Sequence, residues 1–236
     1  MTERGRASVR RDAHRFVIGP SRVEWANDAL TIHIDEVGVP FPQRVRGTVR
    51  VMPRGLANFV AALDDGCRHR WAPIAPCARV EVDMDQPGLR WRGDGYLDSN
   101  EGDEPIDRPF VEWDWSRGSL ADGSTGVVYD VRQKQGGERL IACRFKPSGE
   151  AEPFEPPPRQ PLPRTGWRIE RRMRSDAGVA PRVTQSLEDT PFYARAVLES
   201  GLLGERVTSV HETLNLPRLT SPVVQAMLPW RMPRRG

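Results

Sequence analysis

Short alternating runs, broken by glycine and proline about every 8–12 residues, limit what this chain can become. In Ala29–Val37, Leu30, Ile32 and Ile34 fall on one side and Thr31, His33 and Asp35 on the other. Side chains alternate across a strand, so this run reads as half-buried β-structure. Val45, Val49 and Val51 are likewise in phase. Arg15–Ile18 stops at Gly19-Pro20, and Arg22–Trp25 reaches a turn at Ala26-Asn27-Asp28. Ala78–Val82 and Leu89–Asp98 read as paired strands. Gly126–Arg132 and Arg139–Phe145 read as a hairpin about Gln135-Gly136-Gly137. Trp167–Met173, Arg182–Leu187, Tyr193–Leu198 and Glu205–Leu214 follow as strands, the last with Val207, Ser209, His211 and Thr213 on one face. Leu56–Leu63, ending at Asp64-Asp65-Gly66, is the best helical stretch. The pattern predicts an all-β chain, an antiparallel barrel or sandwich.

Residues 151–163 hold six prolines, which a central strand does not tolerate. They divide the 236 residues into a β domain over 1–150, a proline-rich linker over 151–163 and a smaller β domain over 164–236. No apolar run reaches the roughly 18 residues of a membrane-crossing helix. Cys67, Cys77 and Cys143 form no CxxC pair and fit free thiols in a reducing cytoplasm. The formal charge is +3, carried almost wholly by arginine. Acids interleave with those arginines, which argues against nucleic acid as a partner. Excess base gathers at the ends, in Arg4, Arg6, Arg10, Arg11 and Arg15 and in Arg231, Arg234 and Arg235. These are solvated termini or contacts to an anionic membrane surface.

The sequence lacks a GxSxG elbow, a P-loop, HExxH and paired CxxC. Gly93-Asp94-Gly95 lacks the third glycine and the helix of a dinucleotide site. Cys67, His69 and Cys77 match no common zinc spacing, so no metal site is expected. The densest chemistry lies in Gly66–Arg117, which holds four of the seven tryptophans. Strand parity puts Tyr96 and Asp98 on one face, in line with Asp94 and Asn100, and Gly93 and Gly95 on the other. His69 and Trp71 also share a face if their segment is extended. Tyr96 and the tryptophans equally suit a core, Asp98 a turn cap, and His69 a structural donor.

This stretch resembles the carotenoid 1,2-hydratases, also called hydroxyneurosporene synthases. The resemblance runs through His69-Arg70-Trp71-Ala72-Pro73, Gly95-Tyr96-Leu97-Asp98-Ser99-Asn100, Trp113-Asp114-Trp115, Thr190-Pro191-Phe192-Tyr193 and Leu228-Pro229-Trp230. It implies tandem lipocalin-like antiparallel β-barrels and a cofactor-free lyase adding water to the terminal C1–C2 double bond of acyclic carotenoids such as neurosporene and lycopene. Family members extend upstream of the segment matching Met1-Thr2-Glu3. The first barrel is therefore expected to lack N-terminal strands, and the protein to be inactive if they are required.

The functional set implied is Asp98, His69, Tyr96 and Trp71, with Trp113, Trp115, Asn100 and Tyr193 against the substrate. Asp98 would protonate C2, Trp71 and Tyr96 would stabilise the tertiary cation, and His69 would orient water or accept its proton. A carboxyl group is ordinarily ionised at neutrality, so such a donor needs an apolar wall. The apolar substrate implies cytoplasmic location with peripheral association at the inner or photosynthetic membrane, through Trp230 and the terminal arginines. A barrel that only carries an isoprenoid would keep Trp71 and Tyr96 without needing Asp98 and His69 at one alkene end, and a cyclase on the same fold would use the same acid and cation logic.

Overall fold

The computed structural model describes residues 4–38 and 42–231. The strands run in order β1 (Val9–Arg11), β2 (Arg15–Ile18), β3 (Ser21–Ala26), β4 (Ala29–Val37), β5 (Arg44–Pro53), β6 (Ala61–Ala62), β7 (His69–Gln86), β8 (Leu89–Gly102) and β9 (Phe110–Ser119). They continue with β10 (Thr125–Gln133), β11 (Glu138–Phe145), β12 (Ala151–Pro153), β13 (Arg159–Pro161), β14 (Arg172–Arg174), β15 (Arg182–Asp189), β16 (Tyr193–Leu202) and β17 (Glu205–Asn215). Two helices, α1 (Leu216–Leu219) and α2 (Pro222–Arg231), follow. The all-β expectation holds, and every strand pairing with a described register is antiparallel.

Two compact units interleave along the chain. One holds the chain up to Arg54, Ala78–Tyr96 and the residues from Gln225; the other holds Gly55–Cys77 and Leu97–Val224. In the first, β1 to β5 form a meander and β5 pairs with β7, which also carries β8. The alternation read in Ala29–Val37 is realised as β4, with Ile32 opposite Val49 and Leu30 opposite Val51 on β5. A Cβ on Gly95 would lie 2.1 Å from Val80 Cγ2, so glycine lets β8 approach β7 closely there.

The second unit is built on a seven-stranded sheet in the order β12-β11-β10-β9-β17-β16-β15. Its β10–β11 hairpin turns at Gly136 and Gly137, whose φ of 102° and 119° glycine accommodates readily. Cross-strand partners share a face, which sorts the sheet cleanly. One face carries Trp113 and Trp115 of β9, Tyr129 of β10, Glu212 of β17 and Arg195 of β16. The other carries Asp114, Asp130, His211 and Thr213. On this second face Leu162, Met173, Ala196 and Leu198 form a buried cluster. β13 and β14 belong to that side: Arg159 Nη2 and Arg174 Nε each donate to Asp130 at 2.9 Å.

Two local expectations are corrected. Leu56–Leu63 is not helical; only Ala61–Ala62 is regular, as strand β6 against Trp71 and Arg70 of β7. The Ala57 N–H donates to the Ile74 carbonyl and the Leu63 N–H to that of His69, while Phe59 packs on Trp71 and Phe145. Those tertiary partners outweigh a weak helical propensity. Trp167–Met173 is a strand only from Arg172, because Arg168 at φ 57° turns the chain and donates to the Thr165 carbonyl. The prolines of 151–163 border the short strands β12 and β13. Pro153 lies on the sheet's outermost strand, where no further neighbour needs an N–H.

Candidate active site

β7 and β8 supply the centre of the site. His69, Trp71, Pro73, Ala75 and Cys77 alternate inward along β7, and all are buried. Trp71 is fully buried, and its Nε1–H donates to Asp98 Oδ2 at 2.8 Å. Asp98 is half-buried, and β8 runs straight through Ser99 and Asn100 rather than turning there. The indole therefore holds one carboxyl oxygen of Asp98 as an acceptor.

An arc of edge-to-face rings extends from Trp71. Trp71 meets Phe59 at 6.0 Å, Tyr129 at 5.7 Å and Phe145 at 6.1 Å between centroids. Tyr129 continues to Trp113 at 6.3 Å, Trp113 to Phe110 at 5.9 Å, and Phe110 to the His69 ring at 4.9 Å. Burial raises the Tyr129 phenol far above its ordinary range, and the charges of Asp98 and then Glu212 add to the shift.

His69 is held by two hydrogen bonds, one through its ring and one through its backbone. Its Nε2 lies 3.0 Å from the Glu104 carbonyl, which can only accept, so Nε2 carries the hydrogen. Its backbone N–H donates to Asp64 Oδ1 at 2.7 Å. Nδ1 stands 3.6 Å from that oxygen, beyond hydrogen-bond reach. Burial pushes the Asp64 carboxyl up, but backbone donors from His69, Arg68 and Gly66, with the His69 charge, hold it below its ordinary value. A Cβ on Gly102 would come within 2.5 Å of His69 Cδ2, so glycine makes room for the ring.

The remaining expected residues divide. Trp113 is half-buried and Trp115 buried, both on the sheet face that carries Tyr129. Tyr193 is half-buried on that face with Arg195 5.7 Å over its ring. Tyr96 is half-buried, two residues before Asp98 on β8, and closes the first unit. Asn100 is exposed near the end of β8. Asp94 is exposed and lies 3.7 Å from Arg54. The side chains of Trp230 and Arg231, with Arg234 and Arg235, lie outside the described residues. Phe59, Tyr129 and Phe145 were not foreseen. Each sits in an ordinary-looking β segment or loop, and only the fold brings them to Trp71.

Among the described residues, no three His, Cys, Asp or Glu side chains gather as a metal site, and no helix is long and apolar enough to cross a membrane. What gathers instead is one carboxyl group held by an indole N–H within a wall of aromatic rings.

A family model described as carotenoid hydratase CrtC matches residues 1–236. The chain belongs to this family. It is 63% identical over 236 residues to an acyclic carotenoid 1,2-hydratase of Rubrivivax gelatinosus, covering 100% of this chain and 58% of the relative. It is 52% identical over 237 residues to a protein of that name from Thiocapsa roseopersicina, with the same coverage. A Cereibacter sphaeroides protein of that name is 37% identical over 236 residues and is covered to 84%. The chain thus spans 58% of the first two relatives.

Two crystal structures share the fold. A Nitrosomonas europaea protein assigned as an AttH superposes with a TM-score of 0.62 at 15% identity, over 89% of this chain and 71% of that one. Kievitone hydratase of Nectria haematococca gives 0.56 at 11% identity, over 85% and 70%. The lipocalin-like fold implied by the resemblance is the fold of the family member described here.

Proposed function

We propose that this chain hydrates the terminal C1–C2 double bond of acyclic carotenoids such as lycopene and neurosporene, giving 1-hydroxy derivatives. The observation that carries the reading is the Trp71 Nε1–H bond to Asp98 inside the aromatic arc of a chain that belongs to the carotenoid hydratase family. An alkene without polar groups offers only its π electrons. Adding water to it needs a proton donor first and a nucleophile second.

Asp98 is the donor. The π pair takes the proton from the Asp98 carboxyl to form a C2–H bond and leaves a tertiary cation at C1. Aromatic faces stabilise such a cation without trapping it, by about 1–2 kcal/mol each when desolvated. Trp71 is enclosed by Phe59, Tyr129 and Phe145, so its part is to hold Asp98. Trp113, half-buried beside Tyr129, presents a ring face to the substrate, and Tyr193 stands on the same sheet face. His69, with Nε2 committed to the Glu104 carbonyl, positions the loop between β8 and β9 rather than handling water. Water then attacks C1, and its surplus proton leaves to a base.

The substrate is wholly apolar and resides in a bilayer, so peripheral contact with a membrane surface belongs to this reading. Flotation with anionic vesicles tests it; a protein that never floats argues against that part. Incubation of the purified chain with lycopene in such vesicles tests the activity. A product heavier by one water is expected. Retention of unreacted pigment on the protein, with no such product, would favour a carrier.

A further inference from the structure

Hydration releases as many protons as it consumes, and the site described so far names only the donor. Glu212 stands on the same sheet face. In register, Tyr129, Trp115 and Glu212 form a row across β10, β9 and β17, and Arg195 continues it on β16. Arg195 Nε donates to Glu212 Oε1 at 2.8 Å. The Glu212 side chain keeps 23% of its surface exposed, whereas Trp115 and Tyr129 beside it are buried. Asp98 is linked to the same row, because the Trp71 indole that donates to it packs on the Tyr129 ring. The charges of both carboxylates act on the Tyr129 phenol, after burial, and Glu212 acts on the Tyr193 phenol as well.

We propose that Glu212, held by Arg195, is the second catalytic carboxylate and accepts the proton of the attacking water. This rests on the hydration reading above. Asp98 gives its proton to C2 and becomes a carboxylate. The water oxygen forms the C1–O bond and one O–H bond breaks toward Glu212. Neutral alcohol, protonated Glu212 and ionised Asp98 remain. Both carboxyl groups are partly exposed, so solvent returns the pair to its starting charges. One carboxyl acts as acid and the other as base, each on its own half of the addition. The Arg195 guanidinium fixes the position of the Glu212 carboxylate between β16 and β17.

The test is lycopene turnover in D2O, which reads the two halves separately. The wild-type chain is expected to give alcohol carrying deuterium at C2. Glu212→Gln keeps an oxygen for Arg195 but removes the base, so hydration should fall about 100-fold. Protonation by Asp98 continues in that variant, so the recovered lycopene acquires deuterium at C2. Asp98→Asn gives neither alcohol nor exchange. Hydration by E212Q at the wild-type rate overturns the proposal. Loss of both hydration and exchange in E212Q also overturns it, because Glu212 would then only shape the Asp98 site. If E212Q fails to fold, Glu212→Asp withdraws the carboxylate by one methylene and is read the same way. Slower hydration with exchange retained supports the base, and unchanged hydration removes it. A wild-type chain giving neither alcohol nor exchange defeats the hydration reading itself.

Discussion

The Trp71–Asp98 bond can be measured without any substrate. Trp71→Phe keeps a ring among Phe59, Tyr129 and Phe145 but deletes the N–H that meets Asp98 Oδ2. Asp98→Ala deletes the acceptor. Truncating a fully buried indole leaves a gap, which costs about 1–2 kcal/mol by the scale of core deletions. A hydrogen bond to a charged acceptor contributes roughly 1.5–3 kcal/mol, and the half-exposure of Asp98 puts this one at the low end. The single variant W71F should therefore lose about 2–3 kcal/mol, and D98A about 1–2 kcal/mol. The double variant should lose about 1–1.5 kcal/mol less than their sum, because the shared bond is counted twice. Urea unfolding of the four proteins at one temperature reads this coupling. Additivity within about 0.3 kcal/mol would refute the bond as an organising contact of the site.

Three other outcomes follow from the same geometry. Burial raises the Asp114 carboxyl from 3.8 to about 7, helped by Glu112 and Asp130 and opposed by the Thr213 hydroxyl and the Arg172 N–H. Burial lowers His211 from 6.5 to about 4, helped by Arg171 and opposed by the Arg172 carbonyl and Asp130. Both groups are thus neutral between those values, and their 3.5 Å approach is not an ion pair. The folded chain holds a proton on Asp114 that the unfolded chain releases, so that stability is lost as pH rises toward about 7. His211 acts in the opposite sense, its share lost as pH falls from 6.5 toward about 4. Asp114→Asn should melt with wild type at pH ~5 and above it at pH ~8, and a lower melting temperature at the higher pH would contradict this. Gly102→Ala should displace the His69 ring and destabilise the chain by about 1–3 kcal/mol, read by urea unfolding. Asp130→Ala leaves Arg159 and Arg174 without their shared carboxylate and should cost about 3 kcal/mol by the same measurement.

Strand parity made much of this visible in advance. The alternation in Ala29–Val37 and Glu205–Leu214 became β4 and β17 with the expected facing. Parity also placed His69 with Trp71, and both are buried along β7. Parity could not tell that Trp71 donates to Asp98, since that bond joins two strands through a register that no local pattern encodes. Phe59 was hidden for a related reason. Its segment has helical spacing, and partners distant in sequence hold it extended: Trp71 and Phe145 against its ring, and the Ile74 and His69 carbonyls for the Ala57 and Leu63 N–H groups. Trp113-Asp114-Trp115 shows both cases. Its alternation was plain, but the indoles join the aromatic face while the carboxyl between them enters a buried polar cluster with His211 and Thr213. Parity placed Glu212 on the face opposite His211 and Thr213 but gave it no role, because its meaning comes from Trp115 and Tyr129 on neighbouring strands.

The most direct measurement compares the wild-type chain with Asp98→Asn on lycopene, with both proteins shown to unfold at similar temperatures. The account predicts a product one water heavier from the wild type and none from D98N. An asparagine variant that still forms that product would mean the proton comes from elsewhere, and the acid assigned to β8 would be wrong.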